Sequence, residues 1–279
     1  MTMQSLSLGY SPCPNDTFIF YGLVHGKISF PGYGFQDPVL EDVEQLNVLA
    51  FEGRLDITKL SFHALAHVLD DYCVLTSGSA LGRGCGPLLV SRKPFALSDL
   101  KKKRIAIPGK LTTAALLFRM FLPDCVDLVE IRFDCIMESI ENGMVDAGVI
   151  IHESRFTYEK HGLYALQDLG QWWENLTGLP LPLGCIAIKR SLGEKTAVEV
   201  DQAIRKSVQY GFAHPDHCLP YIRRHSQELA PEVVTNHIHL YVNDYSENLG
   251  EEGVAAISRF LQHGREAGVL PANSMPFMV

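Results

Sequence analysis

The sequence contains no long apolar run and no segment that resembles a secretory signal. Its apolar runs, such as Ala147–Ile151, are far shorter than the roughly 20 residues that a membrane-spanning helix needs. Met1–Tyr10 has neither a basic start nor a following apolar core. We therefore expect a cytoplasmic protein with no membrane partner.

The sequence also lacks an excess of positive charge. Lys and Arg total 24 against 32 Asp and Glu, which gives a formal net charge of −8. Such a balance disfavours binding to a phosphate backbone, and the basic cluster 101–104 is too short to reverse it. We expect no nucleic-acid partner.

Cysteine-pair motifs are absent as well. The seven cysteines are an odd number and none forms a Cys-x-x-Cys pair, which indicates reduced, mostly buried thiols and no metal centre. The chain is 279 residues long with 47% apolar and 20% charged residues, so it can bury a large core. This length suits one large domain or two lobes that share a cleft.

Short apolar strands alternate with amphipathic helices along most of the chain, a pattern that predicts an α/β fold with parallel strands and helices on both faces. The predicted strands are Leu6–Tyr10, Asp56–Leu60, Cys73–Thr76, Pro87–Ser91, Arg104–Pro108, Asp127–Arg132, Ala147–Ile151 and Cys185–Lys189. The predicted helices are Asp16–Gly26, Glu41–Glu52, Ser61–Asp71, Leu97–Lys103, Thr112–Phe121, Cys135–Asn142, Val198–Phe212, His217–Gln227 and Gly250–Ala267.

Two apolar runs end in a basic residue, Pro87–Arg92 and Cys185–Arg190. We interpret them as hinge strands at which the chain enters and leaves a second lobe. Residues 1–91 and 187–279 would form lobe one, and residues 92–186 would form lobe two.

Polar residues follow several of the predicted strands. In an open parallel sheet, ligands bind at the carboxyl ends of the strands, where loops and helix starts converge. The substrate-binding candidates at these junctions are Ser11, Asn15, Asp16, Lys59, Leu60, Ser61, Thr112 and Thr113. The helix start after Gly109 offers free N–H groups for an anion. A purely capping role for these residues is the alternative.

His152 ends the apolar run Ala147–Ile151. A partly desolvated histidine at a cleft rim can have a pKa suited to proton abstraction near neutrality, so His152 is the catalytic candidate. A structural histidine is the alternative.

Other potentially reactive residues fit a function less well. His214, His217 and Cys218 lack a further ligand for zinc, and Cys13 has no histidine near it in sequence. His237 and His239 are expected on the surface. The loop 82–86 is rich in glycine but has neither a P-loop nor a dinucleotide fingerprint, although it can still line the cleft.

Four motifs together resemble one family, the 1,4-dihydroxy-6-naphthoate synthases. They are Ser-Pro-Cys-Pro-Asn-Asp-Thr-Phe at 11–18, Leu-Gly-Arg-Gly-Cys-Gly-Pro at 81–87, Ile-Ile-His-Glu-Ser-Arg-Phe-Thr-Tyr at 150–158 and Leu-Pro-Leu-Pro-Leu-Gly at 179–184. The similarity covers essentially the whole chain, although the C-terminal third is less diagnostic.

This resemblance implies a two-lobed fold similar to type II periplasmic binding proteins, with a central cleft and two hinge strands. It implies a lyase of the futalosine route to menaquinone, which converts cyclic dehypoxanthine futalosine to 1,4-dihydroxy-6-naphthoate and dihydroxyacetone without a metal or an organic cofactor. The family's proton acceptor corresponds to His152, and its substrate-binding segments correspond to Lys59–Ser61 and to Thr112 with Thr113.

Two other functions are compatible with such a fold. A solute-binding receptor for a transporter is disfavoured by the absent signal, and chorismate dehydratase is disfavoured by the motifs at 11–16 and 150–155. A homodimer through the C-terminal helices is conceivable, without a strong physical argument for it.

Overall fold

The computed structural model describes residues 4–226, 230–273 and 275–278. In this part of the chain the strands β1 to β13 are, in order, Gln4–Leu6, Leu8–Tyr10, Tyr33–Phe35, Val39–Leu40, Ile57–Ser61, Tyr72–Val74, Ala80–Gly82, Leu88–Ser91, Ile105–Ile107, Leu128–Glu130, Ala147–Ile150, Tyr164–Asp168 and Leu181–Lys189. The helices α1 to α11 are Pro14–Val24, Val43–Phe51, Phe62–Leu65, Thr113–Phe121, Ile136–Glu141, Leu169–Thr177, Glu194–Ala213, Pro215–His225, Pro231–Tyr241, Asp244–Glu247 and Gly250–Glu266. Gln227, the predicted end of one helix, lies outside the described residues.

Two main sheets organise the molecule. The first has the strand order β4-β2-β5-β13-β6, with β7 also paired to β13, and the second has the order β10-β9-β11-β8-β12. The prediction of parallel strands holds for β9 with β10 and β11, and for β2 with β4 and β5. It is wrong for β13, which is antiparallel to β5, β6 and β7, and for β8, which is antiparallel to β11 and β12. Apolar alternation locates a strand but does not encode its direction.

The chain passes between the sheets at two places. Strand β8 (Leu88–Ser91) pairs within the second sheet, and β13 (Leu181–Lys189) pairs within the first. By strand pairing, the passages therefore fall between β7 and β8 and between β12 and β13. The lobe limits predicted at 91/92 and 186/187 stay a prediction.

Apolar packing links the sheets. One core cluster contains residues of both, including Leu60 and Ala187 from the first and Val149 from the second, together with Trp173 and Phe260. Helix α11 packs against α3 and β13 in this region. A second cluster lies beneath α1, α7 and α8, where Phe20, Ile204 and Ile222 are fully buried. The C-terminal helices thus form part of the core of the first sheet's lobe.

Several elements differ from the prediction. The helix predicted over Ser61–Asp71 is only α3 (Phe62–Leu65), followed by turns. Strand β12 (Tyr164–Asp168) and helix α6 (Leu169–Thr177) were not predicted. Residues of β12 are exposed or half-buried, so no apolar run marks this strand.

Two glycines allow the backbone to approach itself at the first passage between the sheets. A Cβ built on Gly86 would lie 2.3 Å from the Cα of Gly170, at the second residue of α6. Only glycine fits a backbone contact this close. The glycine-rich motif at 81–87 therefore has a structural role in holding α6 against the passage.

We predict that Gly86→Ala destabilises the protein by about 1–3 kcal/mol, because backbone must move to accept the methyl group. Thermal unfolding followed by circular dichroism measures the change. Gly84→Asn is the matched control: Gly84 has a positive φ of 66° that asparagine tolerates, and a Cβ there meets nothing within 4 Å. Equal melting temperatures for Gly86→Ala and the wild type would contradict the assignment.

Candidate active site

A cleft of about 650 Å³, including its open mouth, is lined by residues that follow strands of both sheets. All of the predicted site residues except one line it: Ser11, Asn15, Asp16, Lys59, Ser61, Thr112, Thr113 and His152. The exception is Leu60, whose side chain belongs to the apolar core. Side chains alternate along a strand, so when Lys59 and Ser61 face the cleft, Leu60 points to the opposite face.

A buried ion pair forms the polar floor of the cleft. Lys59 Nζ lies 2.6 Å from Asp16 Oδ1, and the two side chains are 7% and 0% exposed. Asp16 also accepts hydrogen bonds from the backbone N–H of Ser11 at 3.1 Å and from Asn15 Nδ2 at 2.7 Å. The charges are thus paired and largely hydrogen-bonded, as a buried ion pair requires.

Asn15 connects this pair to His237 in α9. His237 Nε2 lies 2.9 Å from Asn15 Oδ1, and since the amide nitrogen donates to Asp16, the oxygen must accept the proton of His237 Nε2. His237 is fully buried, so the prediction that it lies on the surface was wrong, whereas His239 is exposed as expected. Burial lowers the pKa of His237 well below its ordinary value, and the positive charges of a protonated His152 and of Lys59 lower it further. His237 is therefore neutral.

The position of His237 could have been found in the sequence. The buried positions of α9 are Val233, Val234, His237, Ile238 and Tyr241. This spacing is that of one helix face. This face is recognised in the sequence only if His237 is counted as a buried residue. Histidine is not usually assigned to the core, so the pattern is easily missed.

Two hydroxyl groups in the cleft connect the two sheets through hydrogen bonds. Ser61 donates to the carbonyl of Leu111, and Thr113 Oγ1 donates to the carbonyl of Leu183 in β13 at 2.6 Å. Thr112 Oγ1 donates to the carbonyl of Gly109 at 2.9 Å. Backbone carbonyls therefore already accept the protons of both threonine hydroxyls.

The start of α4 nevertheless presents free donors. Within the described chain, the backbone N–H groups of Thr113 and Ala114 have no hydrogen-bond partner, and both residues line the cleft. They occupy the first two positions of the helix, where no intrahelical acceptor exists. Unpaired N–H groups at a helix start, together with the helix dipole, favour a negatively charged group.

His152 follows β11 and begins the short 3₁₀ helix His152–Phe156. Its φ of 55° is the only positive value for a non-glycine residue among those that the structure describes. Such backbone strain tends to occur at functional sites. The ring meets the edge of Phe133 at 4.9 Å between centroids and lies nearly parallel to the ring of His237 at 6.1 Å.

Neither ring nitrogen of His152 has a hydrogen-bond partner among the described residues. Burial lowers the pKa of His152 to about 4, an effect that nearby Asp16 opposes and Lys59 reinforces. The imidazole is therefore neutral at pH 7 and has a free lone pair. Its pKa lies below the near-neutral value expected from the sequence, because desolvation outweighs the carboxylate.

Cys13 lies close to His152 and Glu153, and the three offer potential metal-ligand atoms within 4.8 Å of one another. Burial raises the pKa of the Cys13 thiol well above its ordinary value, and the charge of Glu153 raises it further. The thiol is therefore protonated, whereas a thiolate is the form that binds metal or attacks a substrate. The prediction that Cys13 is not the nucleophile stays a prediction, since His152, which is distant in sequence, lies beside it.

The remaining cleft residues are mostly apolar. They are Val43, Ala80, Cys85, Pro87, Ala114, Ile151, Leu183, Gly184 and Tyr241. Cys85 and Pro87 belong to the glycine-rich motif, as anticipated for a loop that lines the cleft, and Leu183 and Gly184 belong to the motif at 179–184. Tyr241 was not predicted. The cleft thus suits a mostly apolar ligand that carries a few polar groups.

In the described part of the chain, none of the helices has the length and apolar character needed to span a membrane. The seven cysteines are free thiols.

Known proteins resemble this chain over nearly its full length. The model of a menaquinone biosynthesis family matches residues 6–266. A curated protein from Thermus thermophilus named 1,4-dihydroxy-6-naphthoate synthase is 50% identical over 99% of this chain and 100% of its own length. A protein of the same name from Streptomyces coelicolor is 43% identical over 98% of this chain and 97% of its own.

Solved structures of other proteins have a similar fold. A protein from Archaeoglobus fulgidus is 35% identical with a TM-score of 0.89, covering 95% of this chain and 98% of that one. An alkanesulfonate-binding protein from Xanthomonas axonopodis is 17% identical with a TM-score of 0.73, covering 97% and 96%. The latter shows the fold alone, which confirms the two-lobed, periplasmic-binding-protein-like architecture. The identity to curated enzymes over nearly the full length shows that the chain belongs to the menaquinone biosynthesis family that includes the 1,4-dihydroxy-6-naphthoate synthases.

Proposed function

We propose that this enzyme is a carbon–carbon lyase that converts cyclic dehypoxanthine futalosine to 1,4-dihydroxy-6-naphthoate and dihydroxyacetone, with His152 as the general base. The observation that carries the proposal is a neutral histidine in the cleft, held in a strained backbone conformation, with both ring nitrogens unpartnered within the described chain. A base of this kind can accept a proton directly from a bound substrate.

The chemistry needs little more than a base and a dry, shaped cleft. Loss of a proton to His152 lets an electron pair on the substrate break a carbon–carbon bond in a retro-aldol manner. The fragment that stays behind becomes aromatic, so much of the driving force lies in the substrate. This reduced demand suits an imidazole with a pKa of about 4, which is a weaker base than an exposed histidine.

Three parts of the cleft orient the substrate: the start of α4, the apolar walls and the polar floor. The N–H groups of Thr113 and Ala114 bind the naphthoate carboxylate at the start of α4. The apolar walls formed by Val43, Ile151 and Leu183 cover the rings. Lys59 and Asp16 present polar atoms to the substrate hydroxyl groups from the floor.

The clamps between the sheets support a closed reaction chamber. Ser61 bonds to Leu111, and Thr113 bonds to Leu183, so the first and second sheets meet at the site itself. Closure excludes water, which strengthens hydrogen bonds to charge that develops during the reaction. We propose the bacterial cytoplasm as its compartment, where the seven free thiols stay reduced.

We expect His152→Asn to lower kcat at least about 100-fold, because general base catalysis typically contributes about 10²–10⁴-fold. Product formation from the cyclic substrate, followed by chromatography, measures the loss, and the melting temperature and product affinity should change little. His239→Asn, the same substitution at an exposed position of α9, is the matched control. A folded His152→Asn variant with wild-type turnover would remove His152 as the base.

The pH dependence of catalysis tests the environment of the base. The folded pKa of His152 is about 4, so the neutral form persists well below pH 6.5. We predict that kcat/KM stays nearly constant from pH 7 to about 5 and falls below that, provided that circular dichroism shows a folded protein throughout. Half-maximal kcat/KM near pH 6.5 would show a solvated histidine instead.

The lowered pKa of His152 also affects the free energy of unfolding. We expect this free energy to decrease as the pH falls from about 6.5 towards 4, because the unfolded chain binds the proton more readily than the folded chain does.

A further inference from the structure

Helix α9 brings Tyr241 to the same wall of the cleft as His152. The side chain of Tyr241 lines the cleft, and the residue is only 7% exposed. Its ring packs on His237 at 4.6 Å between centroids, and His237 in turn faces His152 at 6.1 Å. The helix also packs against the 3₁₀ helix that begins at His152. The ring of His237 therefore connects Tyr241 to His152 within one packed group of side chains.

The hydroxyl of Tyr241 differs from those of the other deeply buried tyrosines. Tyr10 bonds to the hydroxyl of Tyr221 at 2.6 Å, and Tyr72 donates to the carbonyl of Leu55 at 2.6 Å. For Tyr241, no hydrogen-bond partner of the hydroxyl exists among the residues that the structure describes. Buried tyrosine hydroxyls almost always have a partner. Because Tyr241 lines the cleft, we expect the partner of its hydroxyl to be a ligand.

We propose that the Tyr241 hydroxyl donates a hydrogen bond to the substrate oxygen on which negative charge develops when His152 takes its proton. The inference rests on the proposed function and adds a second catalytic residue to it. The Tyr241 hydroxyl is in position before the reaction begins. The ring of His237 packs on the tyrosine ring, and the hydrogen bond between His237 and Asn15 holds α9 in place. Such preorganised donors stabilise the transition state more than the ground state.

The protonation state of Tyr241 is that of a donor. Burial raises its pKa far above the ordinary value, and the negative forms of Cys85 and Glu153 raise it further, whereas Arg155 opposes the shift. The phenol therefore keeps its proton throughout the working pH range. This assigns complementary roles, with His152 accepting a proton and Tyr241 donating a hydrogen bond.

Tyr241→Phe removes one oxygen and keeps the ring that packs on His237. We expect kcat to fall about 100-fold, as for the loss of one preorganised donor, with KM changed less than about threefold and an unchanged melting temperature. Tyr245→Phe is the matched control, because the Tyr245 hydroxyl bonds to Glu252 outside the cleft. A purely structural role predicts a lower melting temperature with no selective loss of kcat.

Binding of 1,4-dihydroxy-6-naphthoate, measured by calorimetry, gives a second readout that does not depend on turnover. Tyr241→Phe should weaken product binding about 3- to 10-fold, and Tyr245→Phe should leave it unchanged. If the wild type turns over the cyclic substrate while Tyr241→Phe has the same kcat and the same product affinity, the inference is wrong and the proposed function stands. If the wild type neither binds nor turns over these compounds, the proposed function fails, and the inference fails with it.

Discussion

The buried pair of Asp16 and Lys59 is the interaction on which the site depends. Removing two charges from water costs several kcal/mol for each ion, and only close pairing with further hydrogen bonds offsets this cost. Asp16 receives such bonds from Lys59, from Asn15 and from the backbone of Ser11. The loop after β2, the end of β5 and, through His237, helix α9 are thereby held in one arrangement. Losing either charge would leave the other buried and unpaired.

This arrangement explains why His152 is neutral yet available. Its ring lies among Phe133, His237 and the ion pair, which desolvate it without bonding to its nitrogens in the described chain. The nearby hydroxyl groups, in contrast, already have partners. Ser61 and Thr113 donate to backbone carbonyls and thereby connect the two sheets. In the proposed mechanism, different groups have different tasks: the hydroxyls join the two sheets, and the imidazole and the free helix N–H groups contact the substrate.

The rule that ligands bind at the carboxyl ends of strands predicted most of the polar residues that line the cleft. Each of these residues follows or ends a strand, as in Asp16, Lys59, Thr112 and His152. The four motifs predicted the family, which the comparisons with known proteins confirmed. The rule misplaced Leu60, whose side chain belongs to the core because side chains alternate along a strand. It could not find two residues of α9: Tyr241, which lines the cleft, and His237, which packs beside His152. Strand direction and the acceptors of the threonine hydroxyls depend on long-range packing, which local periodicity does not contain.

Product analysis of the purified wild-type protein tests the central claim most directly. The protein is incubated separately with cyclic dehypoxanthine futalosine and with chorismate, and both mixtures are analysed by mass spectrometry. We expect 1,4-dihydroxy-6-naphthoate and dihydroxyacetone in equal amounts from the first, and no conversion of the second. Dehydration of chorismate, or binding of the cyclic compound without any turnover, would contradict the account of this cleft as the active site of a naphthoate-forming lyase.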